Sequence, residues 1–152
     1  WPGGSQEGGF RPGTEATLLI LAMGAAASLA EKMRASYAQV AAVRDHFEKT
    51  INAACDARII GQNLHRLPNT SAITFNISDP DALRIACDMA GLSVGFGSAC
   101  SGLAPEGSFA LSSMGLSLAA QKSTVRFSFT ADATQNQADE AARRMIGIAF
   151  RV

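Results

Sequence analysis

A helical pattern of alanine, leucine and charged residues runs from Glu15 to about Ala57, and no other stretch limits the possible folds as much. Only Gly24 weakens it before Cys55-Asp56-Ala57, so it holds one long helix or two consecutive ones. Such a helix can run from one structural unit into another. Its apolar part, Leu18 to Ala30, is shorter than the ~18–20 residues that a membrane span needs. It lacks a basic leader and stops at Glu31-Lys32, which predicts a buried amphipathic or core helix. Glu31, Lys32, Arg34, Arg44, Asp45, Glu48 and Lys49 read as a solvated face, with His46 a surface residue among them.

The remainder alternates between strand and helix signals. Arg58-Ile59-Ile60-Gly61 reads as a short strand, Gln62 to Leu67 as a polar loop containing His65, and Pro68-Asn69 as a turn. Thr70 to Ile77 alternates, with Ile73, Phe75 and Ile77 on one face. Asp79 is a helix cap with Pro80 at the first helical position; the helix runs to about Ala90 and Gly91 closes it. Leu92-Ser93-Val94 is a short β-prone run, Ser108 to Met114 a helix, and Gly115 its stop. Thr124 to Phe129 alternates strongly, burying Val125, Phe127 and Phe129 and leaving Arg126 on the other face. An arginine there is either part of a solvated face or a fork that holds a carboxylate. Thr134 caps a last helix, Gln135 to about Ala149, whose Ala138, Ala141, Ala142, Met145 and Ile148 form a packing stripe. From Arg58 onward the order is strand, strand, helix, strand, helix, strand, helix, which describes an α+β unit.

A chain of 152 residues, 47% apolar and 17% charged, is an ordinary soluble protein with enough material for one core. Its formal net charge of zero and lack of a basic tail argue against a nucleic-acid surface, and no stretch reads as a membrane anchor. The three cysteines show neither a CxxC pair nor metal-site spacing, which predicts no disulfide framework, no bound metal, and a reducing, cytoplasmic setting. Cys55 and Cys87 lie in helical patterns and read as small core fillers. Cys100 differs, because Gly95-Phe96-Gly97-Ser98-Ala99-Cys100-Ser101-Gly102 offers little apolar area around it. That composition predicts a mobile, water-facing loop of about a dozen residues between a strand and a helix, longer than the usual connection. An exposed cysteine in such a loop points to a reactive thiol.

The opening Trp1 to Thr14 is glycine-rich yet carries Gln6, Glu7, Arg11 and Thr14. A glycine-rich loop entering a helix can present N–H groups and a hydroxyl to a phosphate. Composition alone favours the simpler reading of Thr14 as a helix N-cap before Glu15, Ala16 and Thr17.

With these residues in place, the chain resembles the carboxyl-terminal part of a cysteine desulfurase, a pyridoxal-phosphate enzyme of the class V aminotransferase family. Gly3 to Glu15 resembles that family's G-G-G-Q/H-E-x-G-x-R-S-G-T-E loop, Gly97-Ser98-Ala99-Cys100-Ser101 the segment around its catalytic cysteine, and Thr124 to Phe129 its S-I-R-F-S-L strand. Leu67-Pro68-Asn69-Thr70 and Met114-Gly115-Leu116 are similar to its R-L-P-N-T and A-M-G-L segments. Two departures are Pro12 in place of the usual serine, and Ala104 to Ser108 where L-E-P-S is common.

The resemblance implies the small α+β domain of a fold-type-I pyridoxal-phosphate transferase, preceded by a long connecting helix. Residues 1–30 would be a remnant of the large cofactor-binding domain, 31–57 the connecting helix, and 58–152 the small domain with the cysteine loop. It implies Cys100 as the nucleophile that takes sulfur from L-cysteine, releasing alanine and leaving a persulfide. Arg126 and Asn69 would bind substrate, Arg126 clamping its α-carboxylate. Thr14 would bond the phosphate of pyridoxal 5'-phosphate in the other subunit of a homodimer. The sulfur would pass to an acceptor such as an iron–sulfur scaffold protein. The family's S-x-H-K segment, whose lysine forms the Schiff base, has no match, since Lys32, Lys49 and Lys122 stand in other contexts. The expectation is therefore a fragment that is inactive alone. A selenocysteine lyase, or a cofactor-free module that binds or relays sulfur on Cys100, is the alternative.

Overall fold

The computed structural model describes residues 2–97 and 107–152. They cluster into two units, Trp1–Ala35 and Ser36–Val152. The long tract is a single helix, α1 (Thr17–Ala54), which passes through Gly24. One glycine costs a helix only about 1 kcal/mol relative to alanine, and the surrounding residues are good helix formers.

In the first unit the apolar residues of α1 are exposed, Leu18 at 81% and Leu19 at 71%. This corrects the expectation of a buried helix over Leu18 to Ala30. The only other described element of that unit is a 3₁₀ turn at Gln6–Gly9 with no buried residue, so nothing within the unit can cover them.

The second unit is built on an antiparallel sheet of order β1-β2-β4-β3, from β1 (Ala57–Ile59), β2 (Thr70–Phe75), β3 (Gly95–Phe96) and β4 (Thr124–Ser128). Around it lie α2 (Pro80–Met89), α3 (Phe109–Ser113), α4 (Leu118–Lys122) and α5 (Gln135–Ala149). The α+β expectation holds. Alternation buries Ile73 and Phe75 of β2 and Val125 and Phe127 of β4 on one sheet face. Phe47 and Ile51 of α1, Leu83 and Cys87 of α2, and Ala138, Ala142, Met145 and Ile148 of α5 pack into the same core. The Phe47 ring lies 4.8 Å from Phe127 and 5.4 Å from Phe129, centroid to centroid.

The helix boundaries follow their local chemistry. Asp79 accepts from the N–H groups of Asp81 and Ala82, with Pro80 at the first position, and Thr134 forms a capping box with Gln137. Gly91, at φ 68°, closes α2 as a Schellman motif: its N–H donates to Asp88 O and that of Leu92 to Cys87 O, both at 2.9 Å. That motif explains one difference from the sequence reading. The strand before the cysteine segment is Gly95–Phe96 and not Leu92 to Val94, because Leu92 spends its N–H on the helix end. A second difference is α4, which the sequence reading missed; Ser117 caps it by accepting from Ala120 N–H.

Phe47→Ala should destabilise the chain by about 3–5 kcal/mol, because it empties a fully buried aromatic site, and denaturant unfolding would measure this. On α5, hydrogen bonds from Arg143 and Arg144 hold the Glu140 carboxyl down to about 2 from an ordinary 4.5. A depressed carboxylate stabilises the fold above its ordinary range and loses that contribution as pH falls toward 2. Glu140→Gln should therefore lower stability at neutral pH and flatten the acid limb between about pH 4.5 and 2, so that the two proteins converge near pH 2.

Candidate functional site

Arg126 stands midway along β4 with its side chain exposed on the outer sheet face, since Val125 and Phe127 point inward. Its cross-strand neighbours are Ala72 on β2 and Gly95 on β3. One side thus offers a methyl group and the other no side chain, so the guanidinium is open to solvent. Among the described residues no carboxylate lies within ion-pairing distance of it. Along the same face Thr124 Oγ1 and Thr74 Oγ1 are 2.7 Å apart, and Thr124 donates to Ala120 O of α4 at 2.7 Å.

Asn69 closes the β2–β4 ladder beyond the Thr70–Ser128 pair, its carbonyl accepting from Phe129 N–H at 2.8 Å. Its side-chain amide donates to Phe129 O at 3.4 Å, a long and weak bond that leaves the amide adaptable. Counting from Asn69 to Ala72, which faces Arg126, Asn69 and Arg126 lie roughly 10 Å apart along the strands.

Thr14 belongs to the first unit and is not a helix cap, because α1 begins only at Thr17. The loop before it is tied to itself. Gln6 Oε1 accepts from Gly13 N–H at 3.1 Å, and Arg11 Nη1 donates to Gly13 O and Thr14 O at 3.0 and 2.9 Å. Pro12 fits against Gly3, where a Cβ would lie 2.4 Å from Pro12 Cβ. These bonds occupy the Thr14 carbonyl and leave its hydroxyl exposed and free to meet a phosphate oxygen.

Cys100 lies outside the described residues, and so do its geometry and the expected loop around it. The chain on either side is anchored. Before it, Phe96 packs against the core and carries the Arg84 guanidinium 5.4 Å from its ring centroid. After it, buried Gln121 accepts from Ser108 N–H at 2.8 Å and donates to Leu116 O at 2.8 Å. Gly107, at φ 78°, leaves room for that amide, which a Cβ would meet at 2.4 Å from Oε1. Sequence reasoning had no signal for Gln121, whose partners are set by the placement of α4.

Two residues assigned to a solvated face are buried instead: Arg44 at 8% and Glu48 at 4% exposure. Arg66, in the loop after β1, donates to both Glu48 carboxylate oxygens at 2.6 and 2.7 Å, and Arg44 bonds Asp45 and Leu67 O. The β1–β2 connection folds over this part of α1, and reciprocal bidentate bonding permits the burial. A cleft of about 830 Å³ opens there, lined by Arg44, Glu48, Lys49, His65 and Arg66 among others, but its buried charges already satisfy one another. His46 pairs with Asp139 at 2.6 Å, a link between α1 and α5.

The model of the aminotransferase class-V family matches residues 4–140. The chain belongs to this family. A cysteine desulfurase from Rhodobacter capsulatus is 36% identical over 133 residues, which cover 87% of this chain and 35% of the relative. The cysteine desulfurase IscS of Pseudomonas aeruginosa is 34% identical over 145 residues, 95% of this chain and 35% of the relative. Among solved structures, a NifS-like protein from Rickettsia africae superposes with a TM-score of 0.82 at 28% identity, covering 99% of this chain and 39% of that one. This class-V chain thus spans about a third of the length of the relatives it matches. The resemblance read from the motifs is borne out, as is the small-domain α+β fold.

The two described cysteines behave as fillers. Cys87 is fully buried beside Met145, and burial pushes its thiol up to about 11 from 9.0; the half-buried Cys55 thiol is raised for the same reason. At pH 8 Cys87 should remain unlabelled by iodoacetamide in the folded protein and react once denaturant is added, as peptide mass spectrometry would show.

Proposed function

We propose that this chain supplies the substrate-clamping and sulfur-accepting part of a pyridoxal-phosphate-dependent cysteine desulfurase. The observation that carries the reading is the open guanidinium of Arg126, set between Ala72 and Gly95, in a class-V chain whose relatives bear that name. Its planar fork takes the α-carboxylate of L-cysteine in two parallel bonds, which an ammonium would not reproduce. Asn69 adds an amide near the end of the same ladder. The exposed hydroxyl of Thr14 fits the cofactor phosphate, and we assign it to the site of a second copy in a homodimer. Pyridoxal phosphate, when bound, supplies the electron sink that weakens the substrate's Cβ–S bond.

The Cys100 thiolate attacks the substrate sulfur. A sulfur–sulfur bond forms as the Cβ–S bond breaks, the electron pair leaves with carbon, and protonation there yields alanine while Cys100 keeps a persulfide. The persulfide then passes to a sulfur-acceptor protein, with an iron–sulfur scaffold the fitting class. We place the Schiff-base lysine outside these residues, so that the 152-residue chain alone is inactive. The free thiols of Cys55 and Cys87 suit a cytoplasmic setting, and no helix among the described residues is long and apolar enough to cross a membrane.

The test is single-turnover reaction of the holoenzyme with L-cysteine. Alanine should appear in step with a 32 Da gain, one sulfur atom, on the Cys100 peptide, roughly 10²-fold less in Cys100→Ser. Arg126→Lys should raise KM for cysteine by about 10-fold or more. Persulfide on another cysteine, or undiminished turnover by Cys100→Ser, would remove the reading.

A further inference from the structure

Gly95 is a glycine without a backbone reason. Gly91, Gly97, Gly107 and Gly115 all have left-handed φ values, between 66° and 82°, whereas Gly95 is absent from that class and sits in the extended strand β3. Glycine weakens a strand, and inside one it often marks a close approach by another group. The group here is the Arg126 side chain. A Cβ built on Gly95 would lie 3.0 Å from Nη2, 3.1 Å from Nε and 3.3 Å from Cζ of Arg126, against 3.4–4 Å for ordinary contact. Strand register accounts for this, because Gly95 and Arg126 are directly paired and share the outer face, while the next pair, Phe96 and Val125, belongs to the core side. The guanidinium therefore lies folded across the backbone of β3, in the space a side chain would fill.

We propose that Gly95 is a positioning residue for substrate recognition: its missing side chain seats the Arg126 guanidinium and so sets where the fork meets a carboxylate. The proposal rests on the reading of Arg126 as that fork. A methyl group at residue 95 pushes the guanidinium off β3 by a few tenths of an ångström, and a branched side chain takes the seat outright. Glycine here is a specificity element, although it touches no substrate.

The test uses Gly95→Ala and Gly95→Val, each in the wild-type and the Arg126→Gln background of the holoenzyme. Misplacing a binding group by 1 Å can cost 10²-fold, so KM for L-cysteine should rise about 3-fold for Ala and about 30-fold for Val, with kcat changing less. Strand propensity runs in the opposite order, valine above alanine above glycine, so thermal stability should hold or rise along the series. In the Arg126→Gln background both substitutions should change KM by less than about 2-fold, because there is no guanidinium left to displace. A second readout needs no turnover. In the ¹⁵N-labelled 152-residue chain, the Arg126 Nε–Hε resonance, identified by its loss in Arg126→Gln, should move in Gly95→Ala. An unmoved resonance, wild-type KM in both variants, or equal penalties in both backgrounds would overturn the seat. If Arg126→Gln itself leaves KM unchanged, the fork reading fails, and with it the recognition role; a shifted resonance would then show the seat alone to be real.

Discussion

Phe47 of α1, wedged against Phe127 and Phe129, is the contact on which the second unit depends. The sheet it covers is small, with three residues in β1 and two in β3, and a sheet of that size is marginal in water without a helix packed on it. Covering one face also decides the other. Side chains alternate along β4 with a period of two, so seating Phe127 beneath Phe47 turns Arg126 outward. A slip of one residue would place the guanidinium in a core made of Ile73, Phe75, Leu83 and Met145. The position of the charge is thus set by hydrophobic packing on the face it does not occupy.

Polar bonds then fix the ends of the elements. Arg144 reaches from α5 to Ala90 O at the end of α2, where the Schellman motif at Gly91 turns the chain toward β3. Gln121 holds Ser108 where the described chain resumes. The two sides of the Cys100 segment are therefore anchored by different means: aromatic and cationic packing at Phe96, and a buried amide after Gly107.

Where a signal was local, the sequence could be read well. Asp79 with Pro80, and Thr134, state the starts of α2 and α5, because caps are satisfied within four residues. Alternation over Thr70 to Ile77 and Thr124 to Phe129 gave both central strands, observed at Thr70–Phe75 and Thr124–Ser128, and the outward turn of Arg126. The misreadings share one cause. Leu92 to Val94 had the composition of a strand, but pairing belongs to Gly95 and Phe96, whose partners lie some thirty residues on in β4. Glu48 looked like one more surface charge until Arg66, in a different element, covered it.

By itself the sequence determined the α+β class, a long helical tract as one helix or two, the two central strands and membership of the class-V family, since each is written in periodicity, capping chemistry or contiguous motifs. Only the tertiary structure decided that Glu48 is buried, that Gln121 is a structural tie and that Gly95 is a space for Arg126. Those assignments depend on which side chains the strand register and the helix packing bring together, and local sequence carries no record of a partner reached only through the folded chain.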